Sequence, residues 1–268
     1  MYFDIAMPST LFLITLASML LNEKVEYKLK STLQEKELAV RDIILLVAAM
    51  ATMISLIVIV PTNAIMILFL FSYSMLLFMF TYILANKRWY FGVVPPALFI
   101  VLYVFLNDTN IWSSYLLNLY GLVFAVLITL YLASLFTWKT TLVFAIALTA
   151  LDIVLVLFTG TMVSAANKAR SLNLPVLVTL QTFPAIMQNG QLLYMSLGLG
   201  DFFFAGLLAV QSLKEFGKRF AALSAVGMAV SFLIFEAFLL SFLPIPFPGT
   251  VMIITGWLPL IVWKKLKH

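Results

Sequence analysis

Of the eleven acidic side chains in the 268-residue sequence, three stand inside long apolar runs: Asp152, Asp201 and Glu236. An ionised carboxylate at the centre of a bilayer costs about 3 kcal/mol on insertion scales, so such residues usually line a pathway or a site. Asp201 sits in MSLGLGDFFFAG, with Gly198 and Gly200 before it and Phe202, Phe203 and Phe204 after it. On a helix, Gly198 shares a face with Asp201 and leaves the space beside it unfilled. Gly200 adjoins the aspartate and, at about 1 kcal/mol against Ala, loosens the helix locally. Such room suits a water, a second carboxyl or an approaching backbone; close helix packing through small residues is the plainer use of it. Two carboxyls about 3 Å apart cannot both ionise. The proton they share leaves one acid and one base, a pair suited to general acid–base chemistry.

The elements that must carry these groups are membrane spans. The chain is 64% hydrophobic and 10% charged, where a soluble domain carries about a quarter charged residues. It therefore reads as an all-α polytopic membrane protein. Apolar runs bounded by charge or by Pro/Asn clusters predict nine helices, near 5–21, 41–60, 63–85, 91–106, 111–136, 141–164, 191–213, 220–242 and 247–263. The first reads as a retained helix, because its leading segment carries Asp4 and no Lys or Arg. Residues 1–137 would form a scaffold of five helices, and 138–268 the four that carry both aspartates. Asp4, Glu23, Glu26, Glu35, Glu37, Asp42, Asp108 and Glu215 fall in loops or at helix ends and read as solvated or interfacial. Glu236, six residues before Phe242, reads chiefly as an interfacial or packing residue, with an accessory place in a site as the alternative. Without cysteine there is no disulfide, thiolate metal site or cysteine nucleophile. The single histidine is His268, so no His-based metal site, and no cofactor, is expected.

The net charge of +5 speaks to topology and not to nucleic acid. Lys24, Lys28, Lys30, Lys36, Arg41, Lys87, Arg88, Lys139, Lys214, Lys218, Arg219, Lys264, Lys265 and Lys267 all fall on one side of the predicted spans. Only Lys168 and Arg170 fall on the other. That asymmetry predicts a cytoplasmic C-terminus and an external N-terminus, in a protein of the cell membrane. On the same scheme Asp152 is 11 residues from the cytoplasmic end of its helix and Asp201 is 12 from that of the next. These are depths of about 17 and 18 Å. Matching depth on sequence-adjacent antiparallel helices is what a carboxyl pair requires.

With Asp152 on the sixth helix, Gly198-Leu199-Gly200-Asp201 on the seventh and a Pro-rich start to the ninth, the chain resembles the presenilin and signal peptide peptidase family of GxGD intramembrane aspartyl proteases. The resemblance covers roughly Leu148–Trp263 and takes in LDIVLVLFTGTMVSAANKARSLNLPV. It implies that Asp152 and Asp201 are the catalytic pair and that the substrates are transmembrane peptides within the lipid bilayer. Homo-oligomerisation is left open. The chain departs from the family in having Leu151, not Tyr, before the first aspartate. It also lacks the Pro-Ala-Leu motif as such, which Pro244, Ile245, Pro246, Phe247 and Pro248 would replace in one register or another. An external N-terminus matches the signal peptide peptidase branch and is opposite to presenilin. The segment LPVLVTL at 174–180 suits either a strand that pairs with an extended substrate or simple packing at the membrane surface.

Three other readings use the same residues. A proton- or cation-coupled transporter would employ both aspartates as carriers, although no internal repeat is apparent in the hydropathy. A protease similar to prepilin peptidases would have Lys soon after GxGD, where this chain has Phe-Phe-Phe. A receptor or scaffold would use the acids only to hold helices together.

Overall fold

The computed structural model describes residues 2–33, 37–188, 190–243 and 245–267. Glu35, Lys36, Pro244 and His268, which the sequence argument used, lie outside the described residues.

Eight helical spans are long and apolar enough to cross a membrane, which makes this an integral, multi-pass membrane protein. They are α1 (Ala6–Leu33), α2 (Val40–Ile59), α3 (Thr62–Leu84), α4 (Trp89–Leu106), α5 (Leu117–Leu135), α6 (Trp138–Ile153), α9 (Lys218–Phe242) and α10 (Gly249–Leu266). A π-helical turn, Trp112–Leu116, leads into α5, and another, Val154–Phe158, extends α6. The two remaining helices are the short α7 (Thr161–Ser171) and α8 (Leu199–Phe216). Local chemistry marks several boundaries. Pro61, which has no N–H to donate, precedes the first turn of α3. Thr137 and Thr140 form a reciprocal cap on α6, with the Thr140 N–H donating to the Thr137 hydroxyl at 3.3 Å and the Thr137 N–H to that of Thr140 at 2.9 Å.

The central element is α8. It carries Asp201, Lys214 and Glu215, more charge than a lipid-facing span of its 18 residues tolerates, and every residue from Phe202 to Ser212 is buried. It packs against α1, α5, α6, α9 and α10, so that its Gln211 and Ser212 meet protein and not lipid. Gly206 permits the close approach: a Cβ there would lie 2.7 Å from the Thr129 methyl of α5. Phe203 and Phe204 pack edge-on or tilted against Phe144 of α6. The three phenylalanines after Asp201 thus face neighbouring helices.

Three predicted runs end differently from their hydropathy. The first helix continues to Leu33, so Lys24, Lys28 and Lys30 lie on a helical extension and not in a loop. That extension is held by an i,i+4 ion pair between Lys30 and Glu26 at 2.9 Å. The sixth run breaks at Gly160, whose left-handed φ of 65° turns the chain into α7. The seventh run, Gln191–Leu213, is not one helix. Its first part forms β3 (Gln191–Leu192) and β4 (Tyr194–Gly198), and helix begins only at Leu199.

Strand β4 pairs antiparallel with β1 (Leu177–Gln181), Leu177 lying opposite Gly198 and Thr179 opposite Ser196. The shorter β2 (Met187–Gln188) pairs with β3. The 174–180 segment is therefore a strand over most of its length, held by a framework of aromatic side chains. The Tyr73 hydroxyl donates to the Pro175 carbonyl at 3.0 Å, Tyr103 to Leu172 at 2.8 Å and the Trp112 indole N–H to Asn173 at 2.9 Å. Tyr73 itself stacks on Phe124 with ring centroids 3.7 Å apart. The Asn118 side chain bonds both the N–H and the carbonyl of Thr179, each at 2.8 Å. Helices α3 to α5 thereby fix β1, β1 fixes β4, and β4 delivers the chain to the start of α8.

Asp4 is fully buried and not interfacial. Its carboxylate caps α1, accepting from the N–H groups of Ala6 and Met7 at 3.0 and 3.1 Å, and from Phe183 N–H at 2.7 Å. Tyr2 is tied to Ser241, near the end of α9, by bonds of 2.8 and 3.1 Å.

Candidate functional site

Asp152 is the penultimate residue of α6, at the point where the helix widens into its π turn. Such a turn re-aims the side chains around it and recurs at functional sites. Asp201 lies in the first turn of α8, at the end of the helix where backbone N–H groups and the dipole favour an acid. Gly198 is not its helical neighbour but the last residue of β4 and the N-cap of α8. Its backbone N–H faces the Asp201 carboxylate. A Cβ on Gly198 would reach 3.3 Å from Asp201 Oδ2, so this glycine does clear space for the acid. A Cβ on Gly200 would meet nothing within 4 Å, and its proposed part in opening space beside the carboxylate finds no counterpart in the packing. Leu199 is buried; its side chain borders Gly121 of α5, and its N–H donates to the Val176 carbonyl at 3.1 Å.

The two aspartates share one neighbour, the start of α10. Thr250 donates its hydroxyl to Asp152 Oδ2 at 2.6 Å and directs its N–H to the same oxygen at 3.4 Å. Gly249, one residue earlier, has Asp201 against its α-carbon: an added Cβ would lie 2.5 Å from Oδ1 and 2.6 Å from Cγ. Consecutive residues thus touch the two carboxyls, which are close enough to repel each other when both are charged. Reading the prolines of the stretch before α10 singled out neither Gly249 nor Thr250. The signal available was their position, a small residue and a hydroxyl directly after the last proline of that stretch.

Both aspartates are half-buried and line one cavity of about 490 Å³. Strand β4 contributes Met195 to Gly198 to its wall, and Ile245, Pro246 and Phe247 also line it. Phe247 stacks on Phe235 of α9 with centroids 5.7 Å apart, which fixes this irregular segment to the bundle. Pro248 is buried and is the N-cap of α10. Arg170 of α7 also lines the cavity and bonds Ser196 Oγ at 2.8 Å, while Ser196 and Thr179 hydroxyls meet at 2.8 Å across the sheet.

Glu236 belongs to the same cavity. It is 2% exposed, and neither carboxyl oxygen has a hydrogen-bond partner among the described residues. The expectation that this carboxyl reaches interfacial water is corrected: it is buried within the bundle and lines the cavity. Among the described residues the acids form no group with the arrangement of a metal site. No family model and no curated protein matches the chain.

Proposed function

We propose that the protein is an intramembrane aspartyl protease of the presenilin and signal peptide peptidase type, with Asp152 and Asp201 as the catalytic pair. The observation that carries this reading is the convergence of the two carboxyls, from α6 and from α8, on one cavity, each against one of the consecutive residues Gly249 and Thr250. A pair so placed holds a single proton. The ionised member takes a proton from water as it attacks the scissile carbonyl, and the protonated member donates to that carbonyl oxygen. As the tetrahedral intermediate collapses, the carboxyl that took the water proton donates it to the leaving amine, while the other takes back the proton of the carbonyl-derived hydroxyl, so that the pair again holds one proton. Because the two carboxyls titrate as one unit, the roles belong to the pair.

A transmembrane helix hides its peptide bonds in its own hydrogen bonds and must unwind before hydrolysis. Strand β4 is paired on one side only, with β1, and its residues line the cavity. Its other edge is the natural partner for an extended substrate strand, which would lead the scissile bond toward Asp201 just beyond Gly198. The external N-terminus and cytoplasmic C-terminus drawn from the basic residues are part of the proposal.

The test is incubation of the detergent-purified protein with a transmembrane peptide, fragments being mapped by mass spectrometry for wild type, Asp152→Ala and Asp201→Ala. Cleavage within the span that disappears in both variants supports the reading; equal cleavage in all three defeats it. The third carboxyl in the cavity, Glu236, favours a second reading, a proton- or cation-coupled transporter. Gradient-driven uptake into vesicles, without peptide cleavage, would select it.

A further inference from the structure

The cavity holds one carboxyl that a two-aspartate hydrolysis does not use. Glu236 is nine-tenths buried or more, both its oxygens lack a partner among the described residues, and it lines the same space as Asp152 and Asp201. A buried polar group left unpaired is a standing cost to the fold unless something else supplies its partner.

The surroundings specify the charge of that partner. Asp4, whose carboxylate accepts from three backbone N–H groups, adds negative charge on the Glu236 side. The ion pairs formed among the described residues, Lys30 and Lys214 with Glu26 and Lys218 with Glu23, include neither acid. Arg170, the one basic residue on the cavity wall, is bonded to Ser196. The wall thus carries three carboxyls, Asp152, Asp201 and Glu236, against one guanidinium, an excess of acid that favours a cation. Its walls are largely apolar, including Leu239, Leu240 and Met162, and the space far exceeds what a single ion needs. An apolar segment bearing one positive charge fits both properties.

Resting on the protease reading, we infer that Glu236 is a specificity-determining residue that receives a lysine or arginine side chain of the bound transmembrane segment. Counted from the Gly217 turn that joins α8 and α9, Glu236 is three residues further along its helix than Asp201 is along its own. That is about 4.5 Å by the helical rise. In an extended segment at about 3.3 Å per residue, the cation belongs within one to three residues of the scissile bond, on the side away from that turn.

The experiment measures binding separately from cleavage. Fluorescein-labelled Leu/Ala transmembrane peptides carry lysine, norleucine or glutamate at one of four successive central positions. Their affinity for the detergent-purified full chain is read by anisotropy, with fragments mapped in parallel. Wild type is expected to bind the lysine peptide about tenfold more tightly than the norleucine peptide at one or two positions. The preference for lysine over norleucine is expected to fall below about twofold in Glu236→Gln and Glu236→Met. Equal binding of lysine and norleucine peptides by wild type at all four positions overturns the inference, and that arm needs no variant. A preference that survives in both variants overturns it too. A Glu236-dependent preference without any cleavage supports the cation subsite while removing the protease reading. Cleavage without a preference does the reverse.

Discussion

Two groups of acids flank α8, and they are treated in opposite ways. Toward its C-terminal end, Glu26 takes Lys30 at 2.9 Å and Lys214 at 2.8 Å, Glu23 takes Lys218 at 2.8 Å, and Asn22 completes the Glu26 shell at 2.9 Å. Lys214 further donates to the Ala133 carbonyl at 2.7 Å, so the cluster also ties α1, α5 and α8 together. Toward the N-terminal end, Asp152, Asp201 and Glu236 share a cavity and have no cation paired to them among the described residues. A fold that only needed its acids neutralised has the means at hand, as the first group demonstrates. Carboxyls left without counter-ions among the described residues, and supported by neutral donors such as Thr250, are what the proposed proton transfer requires.

The widest separation of the two groups is expected from removing the aspartates. Asp152→Ala and Asp201→Ala should each abolish peptide cleavage, by at least about 10³-fold, since a single carboxyl cannot act as both acid and base. Both variants should keep the wild-type elution volume in detergent, because neither acid holds an ion pair. Next in size is Gly249→Ala, which leaves every charge in place. Its Cβ would sit 2.5 Å from Asp201 Oδ1 and force the carboxyl away. A misplacement of about 1 Å costs on the order of 100-fold in rate, read as kcat on a fixed peptide. Gly200→Ala is the internal control: its Cβ meets nothing within 4 Å, so activity should stay within about twofold.

The difference between the two groups was only partly legible in the sequence. The spans were, because a run of about 20 apolar residues has few alternatives, and the price of a carboxyl inside such a run marked Asp152 and Asp201. What hydropathy could not reveal depends on contacts far apart in the chain. Residues 191–198 are as apolar as the helix they precede, yet Tyr194–Gly198 become strand because β1 is held opposite them by Tyr73, Tyr103 and Trp112. Asp4 reads as an exposed acid until Phe183 is brought to it. Glu236 reads as interfacial from its place near the end of α9, whereas packing within the bundle buries it. The Pro-rich stretch drew attention to its prolines, whereas the atoms that touch the aspartates belong to Gly249 and Thr250. On the other side, Glu26 and Lys30 stand at helical spacing, yet charge density there read as loop.

Thr250 offers a finer probe of the cavity group. Its hydroxyl, at 2.6 Å from Asp152 Oδ2, is the only side-chain donor bonded to either aspartate among the described residues. Thr250→Val keeps the shape and removes the donor, a loss of about 1.5–3 kcal/mol for a bond to a charged group. Expressed in kcat this is about 10- to 100-fold, with the pH profile of kcat displaced because the donor acts on one ionisation state of the pair. Thr250→Ser restores the hydroxyl and should recover most of the rate and the wild-type profile. A Val variant with unaltered rate and profile would mean that Thr250 merely packs.

The smallest effect should come from the paired group, and its smallness carries information. Lys218 is 71% exposed at its side chain and holds Glu23 at 2.8 Å. Exposed ion pairs contribute about 0–1 kcal/mol, screened by salt. Lys218→Ala should therefore lower the melting temperature in detergent by a few degrees at most, less at high ionic strength, and leave peptide cleavage unchanged. Glu26→Gln should cost more, because Glu26 is shared by two lysines and Lys214 also anchors the Ala133 carbonyl, yet it too should act on stability alone. If either substitution lowered kcat without lowering the melting temperature, the two ends of α8 would be coupled through the helix. The contrast between an end that holds the bundle and an end that does chemistry would then have to be given up.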